Sequence, residues 1–170
     1  IPNLVTLRPA DANETVAARR VAIQRTNGPT TLVLTRQSVP TFCETPPVEM
    51  GGYVAADGDD IALVATGSEV HLALQAREDL AKDNISARVV SLPSWELFGA
   101  QSQAYRDEVL PPDMPRVAAE AGSKFGWERW AGDGPIVALS YFGASAPGDV
   151  VMEARGITAN AIAAAAREHL

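Results

Sequence analysis

Continuous apolar runs alternate with helical patterns along most of the chain. Ile61 to Thr66 is an apolar run of the length typical of a strand buried on both faces. The Gly67-Ser68 turn follows, and apolar residues then recur with a helical period as far as Asn84. Further strands are predicted at 87–92, 117–120 and 136–139, with helices between them and a last helix over 159–168. This succession predicts an α/β fold whose mostly parallel, twisted sheet is covered by helices.

The first 50 residues predict a partial α/β unit ahead of that sheet. A strand is expected from Leu4 to Leu7, and Asp11 precedes Glu14 by the spacing of a capping box at a helix start. The helix predicted over 12–25 carries a thin apolar face that suits packing on a sheet. The residues of that face are Val16, Arg20 and Ile23, with Ala12 and Ala17 nearby.

A second strand, Thr31 to Thr35, follows the Gly28-Pro29 turn and ends at Arg36. Strand, helix and strand form the last part of a parallel βαβ unit. The chain begins at Ile1 rather than at a methionine, so we expect it to start within a larger protein whose earlier strands lie upstream.

The segment 38–60 has no periodicity, because prolines and glycines interrupt it. We interpret it as a connector along the surface, with the domain boundary near Gly51. The predicted domains are therefore 1–50, the partial unit with its linker, and 51–170, a complete α/β domain.

Charge and composition narrow the classes of partner. The net charge is −7, and residues 1–50 hold five arginines against four carboxylates, so the excess negative charge lies in the remainder. This distribution argues against nucleic-acid binding. No apolar stretch reaches the length of a membrane span, and we expect a cytoplasmic protein that does not bind membranes. Cys43 is the single cysteine, and with two distant histidines it offers no zinc spacing.

Arg36 is the main candidate for ligand binding. A guanidinium at the carboxyl end of a strand matches phosphate or carboxylate with two hydrogen bonds. Thr35 and Gln37 add a hydroxyl and an amide, which suit a polyoxygenated substrate. The alternative is a structural ion pair at the edge of the sheet, and the sequence leaves both open.

Other polar positions are better explained by structure. Arg8 ends the first strand, and a structural role is favoured there because capping explains Asp11. The Thr66-Gly67-Ser68 turn resembles an anion site at a helix start, but Glu69 in the first turn opposes that interpretation. We interpret His71 as a surface or interface histidine.

Aromatic and small residues indicate packing. Ser94-Trp95-Glu96-Leu97-Phe98 and Gly126-Trp127-Glu128-Arg129-Trp130 are expected in a core or an interface, and Glu120 is a candidate interface carboxylate. The loop 142–148 lacks the lysine of a nucleotide phosphate loop, so close packing is favoured there as well.

Several of these segments together resemble the C-terminal part of the transketolase family. They are Arg-Pro-Ala-Asp at 8–11, Leu-Thr-Arg-Gln at 34–37, Ala-Thr-Gly-Ser-Glu-Val at 65–70, Pro-Ser-Trp-Glu-Leu-Phe at 93–98 and Phe-Gly-Ala-Ser-Ala-Pro at 142–147. The resemblance implies that residues 1 to about 45 are the tail of the pyrimidine-binding domain and that 52–170 form the C-terminal domain. It also implies that Arg36 grips the phosphate of a sugar substrate.

The resemblance implies a parent enzyme that is a homodimer with thiamine diphosphate and magnesium or calcium. Such an enzyme transfers two-carbon ketol units between ketose and aldose phosphates in the pentose phosphate pathway. The family's catalytic, cofactor and metal residues would lie upstream of Ile1, so we expect no catalytic, cofactor or metal residue here and no activity from the chain alone. A related thiamine-dependent enzyme, such as dihydroxyacetone synthase or a ketoacid dehydrogenase component, and a non-catalytic dimerisation module are the alternatives.

Overall fold

The computed structural model describes residues 1–170, which form two sheets joined by an ordered connector. In the first 50 residues, strands β1 (Val5–Leu7) and β2 (Thr30–Leu32) pair in parallel, and helix α1 (Ala12–Gln24) connects them. This arrangement is the predicted βαβ unit, reduced to two short strands.

The second sheet has five strands in the order β3-β5-β4-β6-β7. The strands are β3 (Tyr53–Ala56), β4 (Ile61–Ala65), β5 (Ala87–Ser91), β6 (Arg116–Ser123) and β7 (Ile136–Leu139). All pairings are parallel except that of β3 with β5. The predicted mostly parallel α/β sheet is therefore confirmed.

Six helices follow β4 along the chain. They are α2 (Glu69–Ala81), α3 (Trp95–Gly99), α4 (Gln103–Val109), α5 (Glu128–Ala131), α6 (Gly148–Ala154) and α7 (Ala159–His169). Helices α2 and α7 pack on one face of the sheet, in a core that includes Leu63, Leu80 and Ile162. The other face is covered by a core that includes Phe98, Trp127 and Trp130. None of the helices is long and apolar enough to span a bilayer.

The connector prediction for 38–60 is wrong in part. The segment contains a 3-10 helix (Val48–Met50) and the edge strand β3, and several of its residues are buried rather than lying along the surface. Strand β3 has no alternating pattern of its own. Its pairing with β5, which is distant in sequence, makes it a strand, so local reasoning could not find it.

Two predictions for the first unit are also wrong. The strand predicted at Thr31 to Thr35 ends at Leu32, and Val33 and Leu34 are 46% and 48% exposed. The predicted apolar face of α1 does not pack on a sheet, since Val16 is 60% and Ile23 is 82% exposed. Glu14 and Ala18 are the buried residues of this helix instead.

Candidate functional site

Arg36 lies four residues beyond the end of β2, and it is exposed. It makes no hydrogen bond or ion pair with other residues of the chain. The structural ion pair that the sequence left open is therefore not formed. Arg36 does not lie at the strand end itself, because the chain leaves the sheet before this residue. Both hydrogen-bonding edges of its guanidinium remain available.

Arg36 lines an open cavity of about 970 Å³ between the two parts of the chain. Residues 36–40 form one wall, the start of α2 forms another, and α6 with the loop before it closes the far side. Arg36 is the only arginine or lysine among the lining residues, whereas Asp149 and Glu153 lie on α6. Arg36 is therefore the lining residue that can attract an anion, whereas the two carboxylates would repel it.

His71 lines the same cavity from α2 and is half-buried. Its ring lies edge-on to Phe42, with 5.5 Å between ring centroids, and its Nε2 atom is buried without a partner. Burial lowers the pKa of His71, although the carbonyl of Ala10 and the charge of Asp11 act in the opposite direction. The lowered pKa favours the neutral imidazole, so His71 adds no fixed positive charge to the cavity.

Arg8 occupies a very different environment from Arg36. It follows β1, and its Nη1 atom lies 2.5 Å from Oε2 of Glu120, while Nη2 lies 3.2 Å from Oε2 of Glu69. Both glutamates are buried, so this is a partly enclosed ion-pair cluster between the two sheets. Sequence reasoning favoured a structural role for Arg8 but missed both partners, since they lie 61 and 112 positions away along the chain.

The Thr66-Gly67-Ser68 turn does not present free backbone donors. The Gly67 N–H donates to the carbonyl of Arg8 at 3.0 Å, and Gly67 has a positive φ of 59°. The Glu69 carboxylate is fully buried beside the turn, and burial raises its pKa while Ser68 and Arg8 oppose the shift. A phosphate would meet this carboxylate, so the anion-site alternative for the turn is wrong.

Glu14 links the first unit to the second sheet. The predicted capping interaction is present, because Asp11 Oδ1 accepts a hydrogen bond from the Glu14 N–H at 2.8 Å. Glu14 itself is fully buried, and one carboxylate oxygen accepts hydrogen bonds from Tyr53 (2.7 Å) and Ser91 (2.6 Å). Burial raises the pKa of Glu14, and hydrogen bonds from Ser91, Ala10 and Tyr53 partly offset this. The capping pattern predicted the helix start but not this contact with β3 and β5.

The aromatic segments pack as predicted, with Phe98, Trp127 and Trp130 buried and Trp95 edge-on to Trp127 at 5.2 Å. Close packing of the loop 142–148 is a wrong prediction. Phe142 is 95% exposed, and a Cβ atom added at Gly143 or Gly148 would meet nothing within 4 Å. The small residues of this loop therefore lie open to solvent instead of against a neighbouring segment.

No group of three or more histidine, cysteine, aspartate or glutamate side chains could hold a metal ion. The chain thus offers no cluster suited to the divalent metal of a diphosphate cofactor.

Comparison with known proteins assigns the chain to a family. A family model described as the transketolase-like TK C-terminal domain matches residues 51–158. A transketolase from Geobacillus stearothermophilus is 50% identical over 169 residues, which cover 93% of this chain and 25% of that protein.

Solved structures agree with this result. A Pichia stipitis transketolase in complex with sedoheptulose-7-phosphate superposes with a TM-score of 0.93 at 38% identity, over 99% of this chain and 25% of that one. A split-gene transketolase described as an inactive β4 tetramer superposes with a TM-score of 0.83 at 26% identity, over 100% of this chain and 59% of that one. This chain spans about a quarter of the length of the curated relatives that it matches.

Proposed function

Because this chain belongs to the transketolase family, we propose that it works as the C-terminal part of a transketolase, in which Arg36 binds the phosphate of the sugar substrate. The observation that carries the proposal is an exposed guanidinium, free of partners in the chain, on the wall of a large cavity. A guanidinium with both edges available can bind a phosphate through two hydrogen bonds.

The chemistry of known relatives supports a sugar phosphate as the ligand. Solved Pichia stipitis transketolases carry xylulose-5-phosphate, fructose-6-phosphate or sedoheptulose-7-phosphate. We extend that ligand class to this chain and assign its phosphate end to Arg36. Polar residues beside Arg36, such as Gln37 and Ser38, could contact the sugar, and the remaining contacts to the sugar and its acceptor would come from residues outside the chain.

The first 50 residues support membership of a longer protein. Their sheet has only two strands, and a two-stranded sheet is marginally stable by itself. Val16, Ile23, Val33 and Leu34 are each exposed on this unit, and a neighbouring part of a longer protein could cover them. We assign 1–50 to the tail of a pyrimidine-binding domain and 51–170 to the C-terminal domain.

Thiamine diphosphate and a divalent metal would belong to the whole enzyme. When bound, the cofactor supplies the carbanion chemistry of ketol transfer. The chain contains no cluster that could hold the metal, and we propose that the chain alone is inactive. A split-gene relative described as inactive is consistent with this. The homodimer and the cytoplasmic location are likewise part of the proposal.

Kinetics of a full-length transketolase containing this chain test the assignment of Arg36. We expect Arg36→Ala to raise KM for a phosphorylated sugar by roughly 10- to 100-fold, because a charge-assisted contact to phosphate is lost. The affinity for thiamine diphosphate should not change. Arg19→Ala is the matched control, since Arg19 is an exposed arginine of α1. An unchanged KM in Arg36→Ala would remove Arg36 from the substrate site.

A further inference from the structure

The carboxyl ends of β4 and β6 form a crevice at the point where the strand order reverses. From β4 the chain passes to β5 on one side, and it then crosses over to place β6 on the other side of β4. In open α/β sheets this crevice is the usual position of a bound ligand. Here a side chain of the same molecule fills it, since Arg8 enters from β1 and contacts Glu69 and Glu120.

We propose that this crevice is a guanidinium-binding site whose resident ligand is the Arg8 side chain, and that the bound guanidinium fastens the β1–α1–β2 unit to the five-stranded sheet. Each of the two Nη atoms contacts a different glutamate, one after β4 and one in β6. A planar fork can bridge two such carboxylates at once, whereas a compact ammonium group lacks that reach.

The two carboxylates are held in place by donors other than Arg8. Glu120 accepts hydrogen bonds from the Gly122 N–H (2.7 Å) and from Nε1 of Trp127 (3.0 Å). Glu69 accepts one from the Ser68 hydroxyl at 2.6 Å. Because these contacts orient the carboxylates independently of Arg8, the crevice is arranged to receive a cation before the cation enters.

Charge determines which class of ligand the crevice accepts. Two buried carboxylates face one guanidinium, so removing the cation would leave like charges close together in a poorly solvated place. A phosphate or a nucleotide would be repelled by these two carboxylates, so the crevice does not accept an anion.

The backbone of Arg8 also forms hydrogen bonds beside the crevice. Its N–H donates to the carbonyl of Pro93 at 2.8 Å, and its own carbonyl accepts from Gly67 at 3.0 Å. The guanidinium therefore lies beside a main-chain junction between the two sheets. Losing the cation should loosen both strand β1 and the turn after β4.

A small cation can reach the crevice from solvent. The Arg8 side chain is 29% exposed, and it lines an open cavity of about 350 Å³ together with Trp95, Glu120 and Trp127. Truncating Arg8 would extend this cavity to the carboxylates. A free guanidinium ion could then take the position of the missing side chain.

Hydrogen exchange of the full 170-residue chain with Arg8→Ala tests the proposal, at about pH 8 so that carboxylate protonation is minimal. We expect amides in residues 4–8 and 66–69 to exchange at least about tenfold faster than in the wild type. Methylguanidinium should restore most of the protection, and methylammonium at the same concentration and ionic strength should not. Arg19→Ala should show neither the loosening nor the rescue.

Three results would overturn the proposal. They are wild-type exchange in Arg8→Ala, faster exchange that methylguanidinium does not reverse, and equal rescue by methylammonium. Adding Glu120→Gln to Arg8→Ala should abolish the rescue, and persistence of the rescue would likewise contradict the site. If Arg8→Ala does not fold, Arg8→Lys is the variant to measure. Faster exchange than wild type in residues 4–8 and 66–69 would support the proposal, and wild-type exchange would overturn it.

Discussion

Two arginines that follow neighbouring strands have opposite surroundings. Arg8 is held by two buried carboxylates, whereas Arg36 has no partner in the chain. In the sequence both simply follow a short apolar run. The partners of Arg8 are Glu69, at the start of α2, and Glu120, in β6, and both lie far along the chain. Only the folded arrangement therefore shows that Arg8 is paired and that Arg36 is available to a ligand.

Because Glu14 is buried, we predict that the free energy of unfolding depends on pH. Because burial raises its pKa above the ordinary value of 4.5, the folded chain holds the Glu14 proton more tightly than the unfolded chain does. This contribution to the free energy of unfolding is complete below the ordinary pKa and is lost as the pH rises through the folded-state pKa. We therefore expect Glu14→Gln to flatten the decline in stability as the pH rises above 4.5.

Denaturant unfolding at a series of pH values measures this effect. Glu69 has a pKa raised in the same direction, so part of the decline should remain in Glu14→Gln. Glu78→Gln, on the exposed side of α2, is the control. Identical pH profiles for the wild type and Glu14→Gln would show that the buried carboxylate titrates as it does in the unfolded chain.

At the scale of elements, the β1–β2 sheet should be the least protected part of the chain. Strand β2 has no fully buried residue, and it pairs only with β1, whereas every residue of β4 is buried between two neighbours. We expect amides of β2 and α1 to exchange through local opening, and those of β4 and β5 only through global unfolding. Hydrogen exchange of the isolated chain measures this, and equal protection of both sheets would contradict it.

A second prediction concerns Gly51, which lies against the backbone of α3. Gly51 has a φ of 80°, and a Cβ atom added to it would lie 2.1 Å from the backbone nitrogen of Phe98. We expect Gly51→Ala to lower the free energy of unfolding by roughly 2 kcal/mol or more, through left-handed strain and displacement of α3.

Thermal or denaturant unfolding of Gly51→Ala checks this value. Gly143→Ala is the matched control, because a Cβ atom there would meet nothing within 4 Å and its φ is not positive. It should change stability by less than about 0.5 kcal/mol. Similar stability for both variants would show that α3 can shift away at little cost.

Elements with a strong local pattern were predictable, and elements made by distant contacts were not. Strand β7 covers the predicted residues 136–139, and α7 begins at the predicted residue 159. Strand β3 has no such pattern and exists through its pairing with β5. Helix α1 was found from its cap, but its buried face was assigned wrongly because a buried glutamate runs against hydrophobic patterning.

The chain as a whole combines a five-stranded α/β unit with a two-stranded one. The five-stranded sheet is covered on both faces by apolar cores, whereas α1 and the segment after β2 leave apolar side chains exposed. The candidate substrate arginine belongs to the two-stranded unit. Its cavity is lined also by residues of α2 and α6 from the five-stranded unit, so the proposed phosphate site needs both parts of the chain.

Arg36 is proposed to bind the phosphate of a sugar substrate in the whole enzyme. The most direct test measures kcat/KM of a full-length transketolase containing this chain, with the same sugar in phosphorylated and unphosphorylated form. In Arg36→Ala, the preference for the phosphorylated form should fall by roughly 10- to 100-fold, while kcat/KM for the unphosphorylated sugar stays within about twofold of the wild-type value. An unchanged preference, or an equal loss for both forms, would contradict the claim.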